Sequence, residues 1–179
     1  MENEHNLPRP CLHYTPPKGW MNDPNGLIFH DGVYHLYYQH YPDACTHGPM
    51  HWGHAKSGDL VHWQNLPIAL YPDENGTIYS GSVVAADWQS QPALVAVYTC
   101  HKDEGNGAYS ETQCLAVSKD GGHTYDKFGA NPVLRSSECD FRDPKVFFYE
   151  KTKRWVMPLA VKDRVEFYTS KDLIHWRFE

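Results

Sequence analysis

The chain contains one pattern three times: Ser57-Gly-Asp-Leu-Val-His-Trp63, Ser118-Lys-Asp-Gly-Gly-His-Thr-Tyr125 and Ser170-Lys-Asp-Leu-Ile-His-Trp176. Each copy has an aspartate two residues after the serine, a histidine three residues later, and an aromatic residue close behind it. Serine and aspartate side chains accept hydrogen bonds from nearby backbone amides and so fix tight turns. We therefore predict an equivalent turn in three copies of one structural unit, with the aromatic residue packed between neighbouring units.

Short strand-like runs precede every copy of the repeat. In each unit one run leads directly into the serine, and a pair of runs joined by a short connection lies upstream of it. The single runs are 51–56, 112–117 and 165–169. The pairs are 27–29 with 33–39, 79–86 with 93–100, and 145–149 with 154–160. No window has the apolar spacing of a long amphipathic helix. Four antiparallel strands in a unit of about 50 residues make one blade of a β-propeller, so the predicted fold class is all-β.

The length of the chain, 179 residues, holds three such blades, at about 20–66, 77–128 and 141–179. A propeller needs about four blades or more to close its ring. We therefore expect residues 1–179 to be the N-terminal part of a propeller domain, with further blades beyond Glu179. An open propeller edge would favour self-association or pairing with a separate C-terminal chain.

Composition narrows the range of partners. The 16 Lys and Arg residues against 22 Asp and Glu residues give a net charge of −6, and the basic residues are not concentrated, which argues against a nucleic-acid partner. No apolar stretch approaches the roughly 20 residues that a membrane helix needs. With 14% aromatic residues, the chain suits a neutral polar ligand such as a sugar, since aromatic faces often hold sugars.

The cysteines and the N-terminus indicate a compartment. The five cysteines include no C-x-x-C pair, so we expect reduced thiols. Residues 1–6 are polar and lack the apolar stretch of a secretory signal. The expected location is the cytoplasm.

Polar motifs open the first strand of each predicted blade. They are Trp20-Met-Asn-Asp-Pro-Asn-Gly26, Tyr79-Ser-Gly-Ser82 and Phe141-Arg-Asp-Pro-Lys145. The first strand of a propeller blade lies innermost, so these motifs should converge on one axis. Two carboxylates facing across a polar funnel, Asp23 and Asp143, suit glycoside hydrolysis, and Arg142 can bond sugar hydroxyls with its planar fork. Taken singly, each Asp-Pro pair is also a common turn initiator.

The same motifs, together with Tyr38-Gln-His-Tyr-Pro42 and His51-Trp-Gly-His-Ala55, resemble in their order those of glycoside hydrolase family 32. That family contains invertases, sucrose-6-phosphate hydrolases and fructan hydrolases. The resemblance runs from about His13 to Glu179 and implies a five-bladed β-propeller, of which this chain supplies about three four-stranded blades.

The resemblance also implies roles for individual residues. Asp23 stands at the position of the nucleophile and Asp143 at that of the transition-state stabiliser. The matching pocket residues are Asn22, Gln39, Ser80 and Arg142, with Trp20, Met21 and Tyr79 as the wall.

Three positions depart from the family pattern. His47 stands where the family commonly has a pocket tryptophan, and Tyr79 where phenylalanine is usual. No E-C-P motif, which carries the general acid/base glutamate, follows Asp143. Glu138-Cys139 precedes Arg142 and is followed by Asp140, so we do not assign Glu138 as the acid.

The leading hypothesis is a retaining hydrolase of terminal β-fructofuranosyl bonds, acting on a small carbohydrate such as sucrose or on a fructan. The 179 residues alone are expected to show little catalysis, because they lack the acid/base. The alternatives are a fructoside-binding propeller fragment without turnover and a fructosyltransferase. A metal site at His47, His51 and His54 is a weaker hypothesis, since no acidic or thiol ligand has suitable spacing with them. No metal or cofactor is expected, and neither phosphate-loop nor dinucleotide motifs occur.

Overall fold

The structure is a computed structural model that describes residues 9–10 and 12–179. Cys11 and the polar residues 1–6 lie outside the described residues. Within the described part every regular element is a β-strand, and nothing there forms an apolar helix long enough to cross a membrane. The all-β prediction is confirmed.

Fourteen strands form three antiparallel sheets. Blade 1 comprises β1 (Trp20–His30), β2 (Val33–Tyr41), β3 (His51–Ser57) and β4 (Trp63–Leu70), in that order. Blade 2 comprises β5 (Thr77–Trp88), β6 (Gln91–Gly105), β7 (Ala108–Ser118) and β8 (Asp126–Lys127), and β9 (Leu134–Arg135) also pairs with β7. Blade 3 comprises β10 (Phe141–Arg142), β11 (Phe147–Tyr149), β12 (Arg154–Val161), β13 (Arg164–Ser170) and β14 (Trp176–Phe178).

Three features of these sheets were not expected from the sequence. The innermost strand of blade 3 is interrupted, so that β10 and β11 pair separately with β12. The strand β9 is an addition to the four-strand plan. The last strand of blade 1 extends to Leu70, beyond the expected residue 66.

The repeated serine and aspartate make the predicted turns between the third and fourth strands. Ser57 Oγ accepts the amide hydrogens of Asp59 and Leu60, and Asp59 Oδ1 accepts those of Val61 and His62. Ser170 and Asp172 repeat the arrangement in blade 3. In blade 2 the turn is one residue longer, and Asp120 Oδ1 binds the amides of His123 and Thr124 instead.

Apolar side chains join the blades into one body. Strand β6 is buried on both faces, so its side chains alternate between the two interfaces. Leu94 and Tyr98 belong to the cluster shared with blade 1, and Val95 and Val97 belong to the cluster shared with blade 3. Burying one such side chain contributes about 1.5–3 kcal/mol, so these two interfaces hold the blades in fixed positions.

The aromatic residues of the repeat occupy different environments. Tyr125 packs edge-on against Tyr37 of blade 1 and donates its hydroxyl to Tyr37 Oη at 2.9 Å. Trp176 packs on the cluster between blades 2 and 3. Trp63 packs on the opposite face of blade 1, against Tyr14 of the segment before β1. Two of the three therefore lie between the blades of this chain.

The innermost strands share an irregularity at one level. Strand β1 has an extra residue relative to β2 between Met21 and Pro24, and strand β5 has one relative to β6 between Ile78 and Gly81. In blade 3 the interruption between Arg142 and Phe147 likewise adds one residue relative to β12. Bulges of this kind redirect side chains and are common beside active sites.

The turn in blade 2 yields a stability prediction. Replacing Asp120 by alanine removes the acceptor for two backbone amides and for Thr124 Oγ1. We expect Asp120→Ala to lower the free energy of unfolding by about 1–2 kcal/mol at pH 7, measured by urea denaturation. Asp87→Ala, at an exposed position of β5, is the control and should change it by less than about 0.5 kcal/mol.

The stability lost in Asp120→Ala should also depend on pH. Burial alone would raise the pKa of Asp120, but hydrogen bonds from Thr124, Ser118 and His123 outweigh it and hold the pKa at about 2. A carboxyl with a depressed pKa stabilises the fold above its unfolded pKa and loses that contribution as the pH falls through its folded pKa. The deficit of Asp120→Ala should therefore shrink between pH 4 and pH 2; an unchanged deficit contradicts the assignment.

Candidate active site

A polar cavity of about 210 Å³ lies where the innermost strands of the three blades meet. Eight of the ten residues expected from the sequence line it: Asn22, Asp23, Gln39, His47, Tyr79, Ser80, Arg142 and Asp143. A second cavity of about 210 Å³ shares Ser80 and Asp143 with it and is bordered by Asn25 and Lys145. The motifs therefore converge, as their places at the start of each blade predict.

Asp23 reaches the cavity from the bulge of β1. The extra residue between Met21 and Pro24 turns its side chain out of the strand pairing, and the residue is exposed. Ser80 Oγ, from the matching bulge of β5, donates a hydrogen bond to Asp23 Oδ2 at 3.2 Å. This bond fixes one carboxylate oxygen, and among the described residues Oδ1 has no hydrogen-bond partner.

Asn25 is a buried residue that the sequence analysis did not single out. Its hydrogen-bonding pattern assigns the amide nitrogen to Ser80 Oγ at 3.1 Å and the amide oxygen to Gln39 Nε2 at 3.0 Å. Asn25 is 2% exposed, so these bonds are shielded from water. It holds two cavity residues from different strands, and its position inside the Asn-Asp-Pro-Asn-Gly motif was the available signal.

Aromatic rings form one wall of the cavity. The Tyr79 ring stacks on His101 with ring centres 4.4 Å apart, and His101 stacks in turn on Tyr109 at 5.0 Å. His47 meets the edges of Tyr79 and Trp20, at 6.3 and 6.2 Å. Tyr79 is therefore held in place from behind, and the histidine at position 47 contributes to the wall.

Two expected wall residues do not line the cavity. Trp20 supports it from outside, because its Nε1 donates to Asn22 Oδ1 at 2.8 Å. Met21 packs instead against the cluster of Leu36, Tyr38 and Ala55 on the outer face of blade 1. The reason is register: Met21 pairs with His40, and side chains paired across two strands share one face of the sheet.

Arg142 is held by two carboxylates. Its Nη1 lies 2.8 Å from Asp140 Oδ1 and 3.1 Å from Glu111 Oε1. Both contacts use the same nitrogen, and among the described residues neither Nε nor Nη2 has a protein partner. The free edge of the guanidinium remains available for hydroxyl groups of a ligand.

Asp143 has a strained backbone. Its φ of 61° lies in the left-handed region, which is unfavourable for a residue with a β-carbon. Blade 2 holds it there, because Thr99 Oγ1 accepts the Asp143 amide hydrogen at 3.2 Å and Gln113 Nε2 donates to the Phe141 carbonyl at 2.7 Å. Thr99 and Gln113 are fully buried and bonded to each other.

Ser82 completes this support. Its hydroxyl donates to the Pro144 carbonyl at 2.8 Å and accepts the Val146 amide hydrogen at 3.1 Å. Buried polar side chains of blade 2 thus replace the strand pairing that is lost between β10 and β11.

The electrostatics of the cavity act on Asp143. Partial loss of hydration by burial raises the pKa of Asp143, the charges of Asp23 and Glu111 raise it further, and Arg142 opposes them. The site thus contains two carboxylates that repel each other and one arginine that stabilises the charge of Asp143.

Other candidates from the sequence lie elsewhere. Glu138 forms an ion pair with Lys162 and does not line the cavity. His51 Nδ1 bonds the Pro49 carbonyl, and His54 is buried against His35 and Tyr37. His47, His51 and His54 therefore do not converge on one point, and no group of three metal-binding side chains occurs among residues 9–10 and 12–179.

Comparison with known proteins gives consistent matches. A family model described as the glycosyl hydrolases family 32 N-terminal domain matches residues 13–179. The chain is 51% identical over 178 residues to the levanase of Bacillus subtilis, covering 95% of this chain and 26% of the levanase. It is 43% identical over 185 residues to the invertase of Schizosaccharomyces pombe, covering 94% and 31%.

Solved structures agree with these relatives. The β-fructofuranosidase of Schwanniomyces occidentalis, complexed with fructosyl-erythritol, superposes with a TM-score of 0.84 at 38% identity, covering 95% of this chain and 35% of that one. The exo-inulinase of Aspergillus awamori gives a TM-score of 0.86 at 33% identity, covering 99% and 40%.

The chain spans between a quarter and a third of the length of the levanase and the invertase. Within that span, the family match runs through all three blades and through every residue of the cavity. The chain therefore belongs to glycosyl hydrolase family 32, within the N-terminal domain of that family.

Proposed function

We propose that this chain provides the fructosyl-binding cavity, the nucleophile and the stabilising carboxylate of a retaining β-fructofuranosidase. The substrate is a terminal β-fructofuranosyl unit of levan, sucrose or a related fructoside. The observation that supports this most is the convergence of Asp23 and Asp143, from blades 1 and 3, in one polar cavity. The names of the relatives, a levanase and an invertase, support the substrate class.

Asp23 acts as the nucleophile. Its Oδ1 attacks the anomeric C2 of the fructosyl unit, the bond from C2 to the leaving oxygen breaks, and in this chain the leaving oxygen takes up a proton from solvent. Water then attacks the same carbon and releases a proton to solvent, the ester bond to Asp23 breaks, and fructose leaves with retained configuration. The hydrogen bond from Ser80 to Oδ2 keeps the carboxylate oriented during both steps.

Asp143 and Arg142 bind the hydroxyl groups of the fructosyl ring. The Asp143 carboxylate accepts hydrogen bonds from ring hydroxyls and stabilises the positive charge that develops near C2. The free edge of Arg142 donates to hydroxyl oxygens, and stacking on His101 keeps the Tyr79 ring beside the sugar.

The described part of the cavity contains no residue assigned as the proton donor for the leaving group. Among the described residues the cavity is lined by two carboxylates, Asp23 and Asp143, and by no glutamate. We propose that the 179-residue chain therefore cleaves sucrose poorly, since loss of a general acid reduces rates by about 10²- to 10⁴-fold. A substrate whose leaving group needs no proton avoids this requirement.

That difference provides a direct test of the nucleophile. Incubation of the chain with an aryl β-fructofuranoside, which has a good leaving group, should add one fructosyl unit covalently to Asp23, because water has no base to speed its removal. Intact-protein mass spectrometry followed by peptide mapping detects the adduct. Asp23→Asn should abolish it, and Asp31→Asn, in the exposed turn after β1, should not.

The outcomes separate the alternatives. An adduct on another carboxylate contradicts the role of Asp23. Fructose binding in calorimetry without any adduct favours a binding module. Longer oligosaccharides at high sucrose concentration, in place of free fructose, favour fructosyl transfer.

Asp143 allows a prediction that combines activity with stability. Asp143→Asn should slow formation of the adduct by roughly 10²- to 10³-fold, as removal of one stabilising group does. The same change should stabilise the fold at pH 7, because asparagine carries no charge beside Asp23 and Glu111 and tolerates the left-handed backbone as aspartate does.

The stability gain should depend on pH in a defined direction. A carboxyl whose folded pKa is raised destabilises the fold once it ionises, so its unfavourable contribution is absent below the unfolded pKa and grows as the pH rises through the folded pKa. Asp143 has such a raised pKa. The gain from Asp143→Asn, measured by urea denaturation, should be larger at pH 7 than at pH 3; an equal gain contradicts the electrostatic explanation.

We also propose that the outer blade faces mediate self-association or binding of a C-terminal partner chain. On blade 3, Phe147, Val165 and Phe167 are 41%, 58% and 51% exposed and share one face. Neighbouring exposed apolar side chains of this kind are typical of interaction surfaces.

Sedimentation velocity tests the self-association. The chain should form concentration-dependent oligomers, and Phe167→Ser should reduce them. Val61→Ser, at an exposed turn position of blade 1, is the control. A chain that stays monomeric at all concentrations and does not bind a separately expressed C-terminal chain contradicts the proposal.

A further inference from the structure

Glu111 is a buried charged residue that the mechanism above does not use. Its side chain lies in β7 and has no exposed surface. Oε1 accepts hydrogen bonds from Arg142 Nη1 and from His101 Nδ1, both at 3.1 Å. Oε2 is buried without a hydrogen-bond partner among the described residues.

The buried Glu111 carboxylate lowers the stability of the fold, so stability does not explain its presence. A buried carboxylate loses its hydration, and an unpaired oxygen on it adds a further penalty. Arg142 does not need Glu111 as its only partner, because Asp140 lies 2.8 Å from the same nitrogen. A residue that carries such a penalty without being needed to neutralise its partner is a candidate for a functional role.

Glu111 also connects the aromatic wall of the cavity to Arg142. Through His101, Glu111 contacts the ring stack that holds Tyr79 in the cavity wall. It also contacts Arg142, whose side chain lines the same cavity. The two contacts use one oxygen, so a shift of this carboxylate moves both groups. No other described residue contacts both His101 and Arg142 through an ion pair.

We propose that Glu111 is a positioning residue that holds Arg142 and, through His101, Tyr79 in the arrangement that receives the fructosyl unit. Its negative charge also acts on Asp143 through space. The functional meaning of this inference rests on the proposed fructoside cavity, whereas the positioning itself is a property of the free chain.

The first test uses NMR on the free 179-residue chain. Arg142 held at Nη1 should show slow rotation of its guanidinium and resolved nitrogen signals. Glu111→Ala should collapse them, whereas Glu111→Gln, which keeps an oxygen acceptor, should preserve them in part. Glu104→Gln is the matched control, because Glu104 lies on the same hairpin and loses the same charge. Its side chain accepts a hydrogen bond from Ser110 and, among the described residues, forms none with Arg142 or His101.

The second test measures the effect of the Glu111 charge on the pKa of Asp143. Titration of the Asp143 carboxyl carbon should give a lower pKa in Glu111→Gln than in the unaltered chain, because the charge of Glu111 raises the pKa of Asp143. Glu104→Gln should leave it unchanged. An equal Asp143 pKa in all three chains contradicts the electrostatic part of the inference.

The third test links positioning to the reaction. Adduct formation on Asp23 should slow by about 10- to 100-fold in Glu111→Gln, by analogy with the loss of residues that orient metal ligands, and further in Glu111→Ala. Urea denaturation shows whether each variant remains folded. If Glu111→Ala keeps the Arg142 signals, and Glu111→Gln reacts at the unaltered rate with an unaltered Asp143 pKa, the inference is wrong.

These measurements distinguish the two proposals. Collapse of the Arg142 signals in Glu111→Ala, together with a lower Asp143 pKa in Glu111→Gln, supports the positioning role even if Asp23 forms no adduct. In that case only the fructosidase proposal fails. An adduct on Asp23 that is indifferent to Glu111 supports the fructosidase proposal and overturns the positioning role.

Discussion

The site depends on one backbone constraint: each innermost strand has one more residue than the strand it pairs with, at the level of the cavity. A regular strand alternates its side chains between the two faces of a sheet, and in a propeller both faces are covered by neighbouring blades. An extra residue breaks that alternation and turns a side chain along the axis. Asp23, Ser80 and Asp143 lie at or next to these irregularities, so the same device presents all three.

Breaking the strand pairing leaves backbone groups that need other partners. In blade 3 these partners are side chains of blade 2, namely Ser82, Thr99 and Gln113. Apolar residues at these buried positions would pack equally well but would leave the amide of Asp143 and the carbonyls of Phe141 and Pro144 unsatisfied. The polar side chains in the core of blade 2 are therefore explained by the shape of the neighbouring strand, and they hold Asp143 in its strained conformation.

How far the sequence predicts this arrangement depends on whether the signal is local. The serine and aspartate of the repeat bond amides two to four residues away, so their pattern predicts the turns and with them the blades. The convergence of Asp23 and Asp143 follows from their places in the repeat. The sequence predicts Met21 in the cavity wall, whereas it packs on the outer face of blade 1. A bulge decides which face it takes, and bulges have no simple sequence pattern. Glu111 and His101 gave no signal, since their partners lie across a strand pair or in another blade.

The distribution of charge around the cavity favours the transition state of the proposed reaction over its neutral substrate. Asp23 and Asp143 line it, Glu111 and Asp140 lie behind it, and Arg142 is the cation that contacts both of those outer carboxylates. A neutral fructosyl unit gains little from the resulting negative field. A fructosyl unit with positive charge developing at C2 gains much more, because the carboxylates are already fixed by Ser80, Thr99 and the bulged strands and need no reorganisation. In the proposed mechanism, the strained backbone and the raised pKa of Asp143 are costs of the free protein that are offset only as the bond to the leaving group breaks and positive charge develops at C2.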